Sequence, residues 1–156
     1  PELSITTDII VGFPGESDME FETSFSFVEE MKFSKLHVFR YSPREGTVAA
    51  MMPGQVLPRI VQERSNRMQA LGAVYEADFK ARFIGRTVPV LWESAEPRPE
   101  CVRWSGLTGN YIRVVTETGK DIDLTNKVTE TTLVGEFPGA VFGEAQIRQR
   151  LVERVV

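Results

Sequence analysis

The pentapeptide Gly12-Phe13-Pro14-Gly15-Glu16 is where this chain is best equipped to meet a ligand. It follows a strongly β-branched run and precedes a helix start. A glycine-rich turn at the C-terminal end of a parallel strand is where α/β folds present backbone groups to ligands. Val11 and Gly12 would offer that backbone to an adenine or a ribose. The turn has no Gly-Lys-Ser/Thr of a P-loop and no Gly-x-Gly-x-x-Gly of a dinucleotide fold. Other reactive side chains are sparse. His37 is the only histidine. No residue stands at the spacing of a metal ligand or general-base partner for it, so it reads as a structural histidine. Asp8 lies within an apolar strand, where a buried carboxylate must be hydrogen-bonded or neutralised. A site role and a structural role stand level for it. Cys101 is the only cysteine, which excludes an internal disulfide framework. No catalytic residue and no metal ligand is assigned.

These residues need elements to hold them. Residues 4–11 form a nearly continuous apolar run that suits a parallel strand buried on both faces. Ser17 is an N-cap and Glu20 completes a capping box. Phe21, Phe25, Val28 and Met31 then fall on one helical face. A second strand runs from Lys35 to Tyr41, so the first 41 residues make a βαβ unit. Residues 42–57 hold Pro43, Gly46, Pro53 and Gly54 and read as a structured loop. Pro58 starts a long helix to about Arg82, with Leu57, Val61, Met68, Leu71 and Tyr75 facing inward. Its polar face carries Arg59, Arg64, Arg67, Lys80 and Arg82, either as a solvated face or as RNA contacts. Beyond Gly85 the period switches to two. Strands at 87–93, 110–117, 127–134 and 141–148 are separated by turns at 96–99, 106–110, 118–121 and 137–139, which suggests a small antiparallel barrel. The reading is thus α/β followed by all-β, with domains at 1–83 and 84–150 and a tail at 151–156.

Bulk properties narrow the partners. The net charge is −4 over 156 residues, which gives no whole-chain attraction for nucleic acid. The distribution is uneven: residues 55–86 carry 6 basic and 3 acidic side chains, and residues 1–54 carry 4 and 9. RNA binding would need a local patch. No apolar run is long enough to span a bilayer, no secretory signal is visible, and the lone cysteine suits the cytoplasm. An opening at Pro1, directly before a strand, reads as an excised piece of a longer protein.

Three stretches carry a resemblance. Thr6-Thr7-Asp8-Ile9-Ile10-Val11-Gly12-Phe13-Pro14-Gly15-Glu16, His37-Val38-Phe39-Arg40-Tyr41-Ser42-Pro43-Arg44-Glu45-Gly46-Thr47 and Met52-Pro53-Gly54-Gln55-Val56 closely resemble the radical-SAM methylthiotransferases. Within that family they look most like the branch that modifies N6-threonylcarbamoyladenosine in tRNA. The sister branches act on isopentenyl-adenosine or on a ribosomal-protein aspartate. The stretch from Trp104 to Val115 is similar to the RNA-binding TRAM barrel that closes these proteins. The resemblance covers essentially the whole chain. A stand-alone RNA-binding module without catalysis remains the alternative from another class.

The resemblance implies the C-terminal part of a radical-SAM partial (β/α) barrel, a linking helix and a TRAM β-barrel. It implies S-adenosylmethionine as cofactor and [4Fe–4S] clusters held by cysteines outside this chain, so the chain alone is expected to be inactive. It also implies the missing N-terminal part of the same enzyme and the tRNA anticodon stem-loop as partners, and no membrane. The cofactor wall would comprise Asp8, Val11, Gly12, Phe13, Glu16, Phe39, Tyr41 and Ser42, with core packing the alternative for Phe39. Arg40 stands where the family commonly has proline and adds a charge at the mouth. Arg44 pairs with Glu45 or reaches an anionic group. RNA contacts would come from Arg64, Arg67, Arg86, Arg103, Trp104, Asn110, Tyr111 and Arg113. For Trp104 and Tyr111 a core role is the alternative to stacking on unpaired bases.

Overall fold

A computed structural model describes residues 2–147. The chain divides between Phe79 and Lys80 into two compact units. The expected tail at 151–156, and the end of the last expected strand at Arg148, lie outside the described residues.

The first unit contains β1 (Thr6–Val11), α1 (Asp18–Met31), β2 (Lys35–Arg40), the short α2 (Val48–Met51) and most of α3 (Pro58–Ala81). β1 and β2 pair in parallel, with Asp8 opposite His37 and Val11 opposite Arg40. The helix start is as the sequence predicts. Ser17 Oγ accepts the Glu20 N–H at 3.2 Å and the Ser17 N–H donates to Glu20 Oε2 at 2.8 Å, closing the capping box. Lys32, in the left-handed region, ends the helix.

Val11, Phe21, Val28, Phe33, Val61 and Met68 form the core, flanked by Ile9, Leu36, Val38 and Leu71. Gly72 lets α3 approach β2 closely, since a Cβ there would meet Leu36 at 3.1 Å. The sheet is covered on one face only, against the expectation of burial on both. Ile10 is 55% exposed and Phe39 is 51% exposed, so Phe39 is not a core residue. Two strands and one layer of helices bury alternate side chains and leave the others outward. Met31 and Leu57, expected inward, are exposed too.

The second unit is a closed barrel of β3 (Thr87–Pro97), β4 (Val102–Thr108), β5 (Arg113–Thr118), β6 (Val128–Phe137) and β7 (Ala140–Ala145), in the order β3-β4-β5-β7-β6. This is the TRAM-like barrel after a helix that the resemblance implies. Two details differ. The barrel is not wholly antiparallel: β5 and β7 close it as a short parallel pair, with Val114 opposite Val141. And β4 runs on through residues 106–108, which were expected as part of a turn. Gly106 reads as a breaker in sequence, yet it faces inward, where a Cβ would stand 2.4 Å from the Leu91 carbonyl oxygen and 2.9 Å from the Trp92 ring.

Register shifts between Trp92 and Ser94 and between Leu133 and Gly135 bend β3 and β6 so that the sheet closes. Trp92 and Trp104 fill the interior. Their indole N–H groups donate to Thr129 Oγ1 at 2.9 Å and Thr118 Oγ1 at 3.0 Å. Each buried indole therefore has its polar atom satisfied by a neighbouring strand.

Two outcomes follow from these contacts. The Glu20 pKa is lowered by the Ser17 backbone N–H first and the Ser17 hydroxyl second. A carboxyl depressed on folding contributes stability above its unfolded pKa and loses it as pH falls through the folded value. Glu20→Gln is thus expected to flatten the acid limb of α1 unfolding below the ordinary value of 4.5, read by circular dichroism. Gly106→Ala is expected to destabilise the barrel by about 2 kcal/mol through overpacking. Denaturation followed by tryptophan fluorescence checks it, because the chain's two tryptophans are both in the barrel.

Candidate functional site

In the first unit the site is built from the turn after β1. Gly12 has φ +77°, and a Cβ there would sit 2.4 Å from Val61. The turn is closed by its own groups. The Gly12 N–H donates to Glu16 Oε2 at 2.7 Å, the Glu16 N–H to the Phe13 carbonyl at 2.9 Å, and the Gly15 N–H to the Gly54 carbonyl at 2.9 Å. The Tyr41 N–H donates to the Val11 carbonyl at 2.9 Å. This corrects the expectation of bare backbone at Val11 and Gly12: both groups already have partners, because the two strand ends and the turn satisfy one another.

Arg64 explains the closure. It is 5% exposed, not on a solvated face and not positioned for RNA. Its Nη1 donates to Glu16 Oε2 at 2.6 Å and to the Glu16 carbonyl at 2.9 Å, and its Nη2 donates to Asp18 Oδ1 at 2.6 Å. The guanidinium also lies over the Phe21 ring at 5.3 Å. Burial works against its charge, but the hydrogen bonds to Asp18 and Glu16 outweigh it and raise the pKa. Glu16 is consequently a clamp for the turn rather than a free carboxylate. Arg67, the other α3 candidate, grips Glu22 through both terminal nitrogens and covers Phe21 and Phe25. Sequence spacing missed the inward turn of Arg64; its signal was the three acids at Glu16, Asp18 and Glu20 facing a basic helix.

A cavity of about 510 Å³ lies beside this turn, lined by Gly12, Arg40, Tyr41, Ser42, Gln55 and Val61 among others. Phe13 meets Tyr41 edge-on at 5.3 Å between centroids. The Tyr41 hydroxyl oxygen is buried and has no hydrogen-bond partner among the described residues. Four of the eight expected wall residues line the cavity or its partner ring: Gly12, Tyr41, Ser42 and Phe13. Asp8 and Phe39 do not line it. Asp8 is exposed on the uncovered sheet face, in register with an exposed His37, so neither is the buried, satisfied group expected. Arg44 and Glu45 form no ion pair among the described residues.

On the barrel, Trp104 is buried and is not a stacking platform. Tyr111 is the outward aromatic, 78% exposed and at φ +64°. The turn enforces this. The Thr108 hydroxyl donates to Asn110 Oδ1 at 2.6 Å and accepts the Ile112 N–H at 2.9 Å, while the Tyr111 N–H donates to the Thr108 carbonyl at 3.0 Å. A bulky residue held in the left-handed region is strained, and such strain gathers at functional positions. Arg113 pairs with Glu93 at 2.7 Å, and Arg103 pairs with Glu117 at 2.7 Å while lying over Phe137. Exposed pairs of this kind hold weakly and can exchange for a phosphate. Arg86 lies over Phe83 at 4.9 Å. No group of His, Cys, Asp and Glu among the described residues could hold a metal ion, and no described helix is long and apolar enough to cross a membrane.

Fold and site together define an α/β strand-end unit joined in one chain to a TRAM-like barrel. No family model matches the chain. Individual relatives do. The threonylcarbamoyladenosine tRNA methylthiotransferase MtaB of Bacillus subtilis is 38% identical over 123 residues, covering 78% of this chain and 27% of that protein. The tRNA-2-methylthio-N(6)-dimethylallyladenosine synthase of Kineococcus radiotolerans is 46% identical over 100 residues, covering 64% and 20%. The ribosomal protein uS12 methylthiotransferase RimO of a Synechococcus species is 35% identical over 119 residues, covering 73% and 26%. The chain belongs to the radical-SAM methylthiotransferases. It spans about a quarter of the length of these curated relatives.

The clamp is separable from its neighbours by mutation. Arg64→Ala leaves Glu16 without its buried partner and is expected to destabilise the first unit by about 3 kcal/mol, the lower end for breaking a buried pair. Arg67→Ala, which breaks an exposed pair, is expected to remove about 1 kcal/mol. Unfolding followed by helical circular dichroism compares the two, since α1, α2 and nearly all of α3 lie in that unit. Equal losses would contradict the clamp.

Proposed function

We propose that this chain is the part of a radical-SAM tRNA methylthiotransferase that walls one side of the S-adenosylmethionine pocket and grips the tRNA. The substrate on this reading is N6-threonylcarbamoyladenosine beside the anticodon, and the setting is the cytoplasm. The observation that carries it is the 123-residue match to the Bacillus subtilis protein of that name, the longest of the three alignments above. The higher identity of the Kineococcus protein over 100 residues favours dimethylallyladenosine as the second reading.

The cofactor's fit rests on the strand-end cavity lined by Gly12, Tyr41 and Ser42, with Phe13 against the Tyr41 ring. Gly12, Phe13, Tyr41 and Ser42 would hold the nucleoside, with the Phe13–Tyr41 pair excluding water from one face. When bound, S-adenosylmethionine supplies the hydrogen-abstracting radical and the methyl group. The iron–sulfur clusters do not fit this chain: one cysteine, Cys101, cannot supply the thiolates that a cluster needs. Residues outside it would hold them, and the chain alone would be inactive. Its own contribution is orientation, through the Arg64 clamp on the turn, and RNA capture, through the Tyr111 turn with Arg103, Arg113 and Arg86.

Binding of the chain to anticodon stem-loops tests this. The loops carry threonylcarbamoyl-adenosine, isopentenyl-adenosine or plain adenosine, and salt is varied. Affinity is expected to fall as salt rises and to be highest for the threonylcarbamoyl loop. Tyr111→Ala is expected to weaken binding by about 1–3 kcal/mol, the worth of one base stack. Tightest binding to the isopentenyl loop would transfer the assignment to the second reading. Absence of salt-dependent binding would overturn the RNA role and point to a protein substrate.

A further inference from the structure

The two edges of β6 are covered to different lengths. β3 pairs with one edge from Thr132 to Val128, whereas β7 pairs with the other from Phe137 to Thr131. One more bond follows on the β7 side, from the Gln146 N–H to the Glu130 carbonyl at 2.8 Å. Backbone groups of an antiparallel strand face alternate edges. Val128, two residues from Glu130, therefore turns its N–H and carbonyl to the β7 side as well. No described residue of β7 stands opposite it. Such an edge is a template for further pairing.

A groove of about 540 Å³ lies along this edge, lined by Asp121, Asp123, Lys127, Val128, Glu130 and Ile147 among others. Three of its four charged residues are acidic. Lys127 Nζ donates to the Asp123 carbonyl, and the Asp123 carboxylate accepts the Thr125 N–H at 2.9 Å. Asp121 and Glu130 form no ion pair among the described residues. Val128 is exposed. The groove thus suits an extended segment with cations on aliphatic stems, which cover an apolar side chain while the charge reaches an acid.

The chain carries such a segment in register. Thr132 stands opposite Glu144 and Thr131 opposite Ala145, and the same register continued sets residue 148 opposite Val128. Residues 148–154 read Arg-Gln-Arg-Leu-Val-Glu-Arg, three cations and one anion. In an extended chain Arg148 and Arg150 share a face, and a residue opposite Val128 is a diagonal neighbour of Glu130.

We propose that this groove is the seat of the chain's own basic segment, residues 148–150, which continue the pairing along β6 with Arg148 and Arg150 set against Glu130 and Asp121. The occupied edge is then closed to other chains.

Amide hydrogen exchange in the full chain, read by NMR, tests the seat. The Arg148 amide is expected to exchange at least about tenfold more slowly than in a free peptide of residues 146–156, as a paired amide does. Arg148→Glu is expected to remove that protection, and Arg148→Glu combined with Glu130→Arg to restore it. Circular dichroism confirms that each variant is folded. Exchange of the wild-type Arg148 amide at the free-peptide rate overturns the seat. Protection that Arg148→Glu leaves unchanged overturns the acidic groove as what holds the segment. Protection that grows with protein concentration places the segment on a second copy and overturns the seat within one chain.

Discussion

The first unit depends on one buried ion pair. Glu16 Oε2 accepts the Gly12 N–H and the Arg64 guanidinium at once, 2.7 and 2.6 Å away. Without Arg64, Glu16 would be a half-buried carboxylate with one amide to hold it. Without Glu16, Arg64 would be a buried cation facing the exposed Asp18 alone. Each makes the other's burial tolerable. The pair also joins elements that the chain order separates by 48 residues, since it ties the turn after β1 to the second turn of α3. Gly12 then has no room for a side chain against Val61. Glycine at 12, valine at 61 and the Glu16–Arg64 pair are thus one constraint expressed at four positions.

The barrel solves its own polar problem in a different currency. It has no buried ion pair among the described residues. It has two indoles whose N–H groups meet threonines on neighbouring strands, and Thr129 passes the hydrogen bonding on to Thr131 at 3.1 Å. Small inward residues make space for the rings. Gly106 lies against Trp92, and Gly143 lies where a Cβ would meet Thr131 and Val114. Large and small inward side chains alternate, as a narrow closed barrel requires. The same turn chemistry that pairs Thr108 with Asn110 and Ile112 leaves Tyr111 outside.

What was legible in sequence follows the range of the forces involved. The capping box at Ser17 and Glu20, the start of α3 at Pro58 and the glycine turn after β1 are set by residues a few positions apart, and local patterning reveals them. Arg64 is different. Its charge suggests a solvated face, and only a partner 48 residues away turns it inward. β4 was hidden for a related reason. Its inward positions are Trp104, Gly106 and Thr108, only one of them a large apolar residue, so the alternation is faint. Gly106 mimics a turn until Trp92 packs over it. Asp8, Ile10 and Phe39 failed in the opposite direction: their apolar context predicts burial on both faces, and burial depends on a second layer that these residues do not encode.

The backbone and the side chains therefore exchange the roles that the turn motif suggests. A glycine-rich strand end ordinarily recognises its ligand through free amides. Here the Val11 carbonyl is taken by Tyr41, and the Gly12, Gly15 and Glu16 amides are taken within the turn. The turn's amides are satisfied, and being satisfied it has little backbone left to give. Selectivity must then come from the side chains around the turn: the Phe13 and Tyr41 rings, the Ser42 hydroxyl and the Arg40 guanidinium. Arg40 puts a cation on the wall of a cavity that no other charged residue lines, while the turn beside it is held by the Glu16–Arg64 pair.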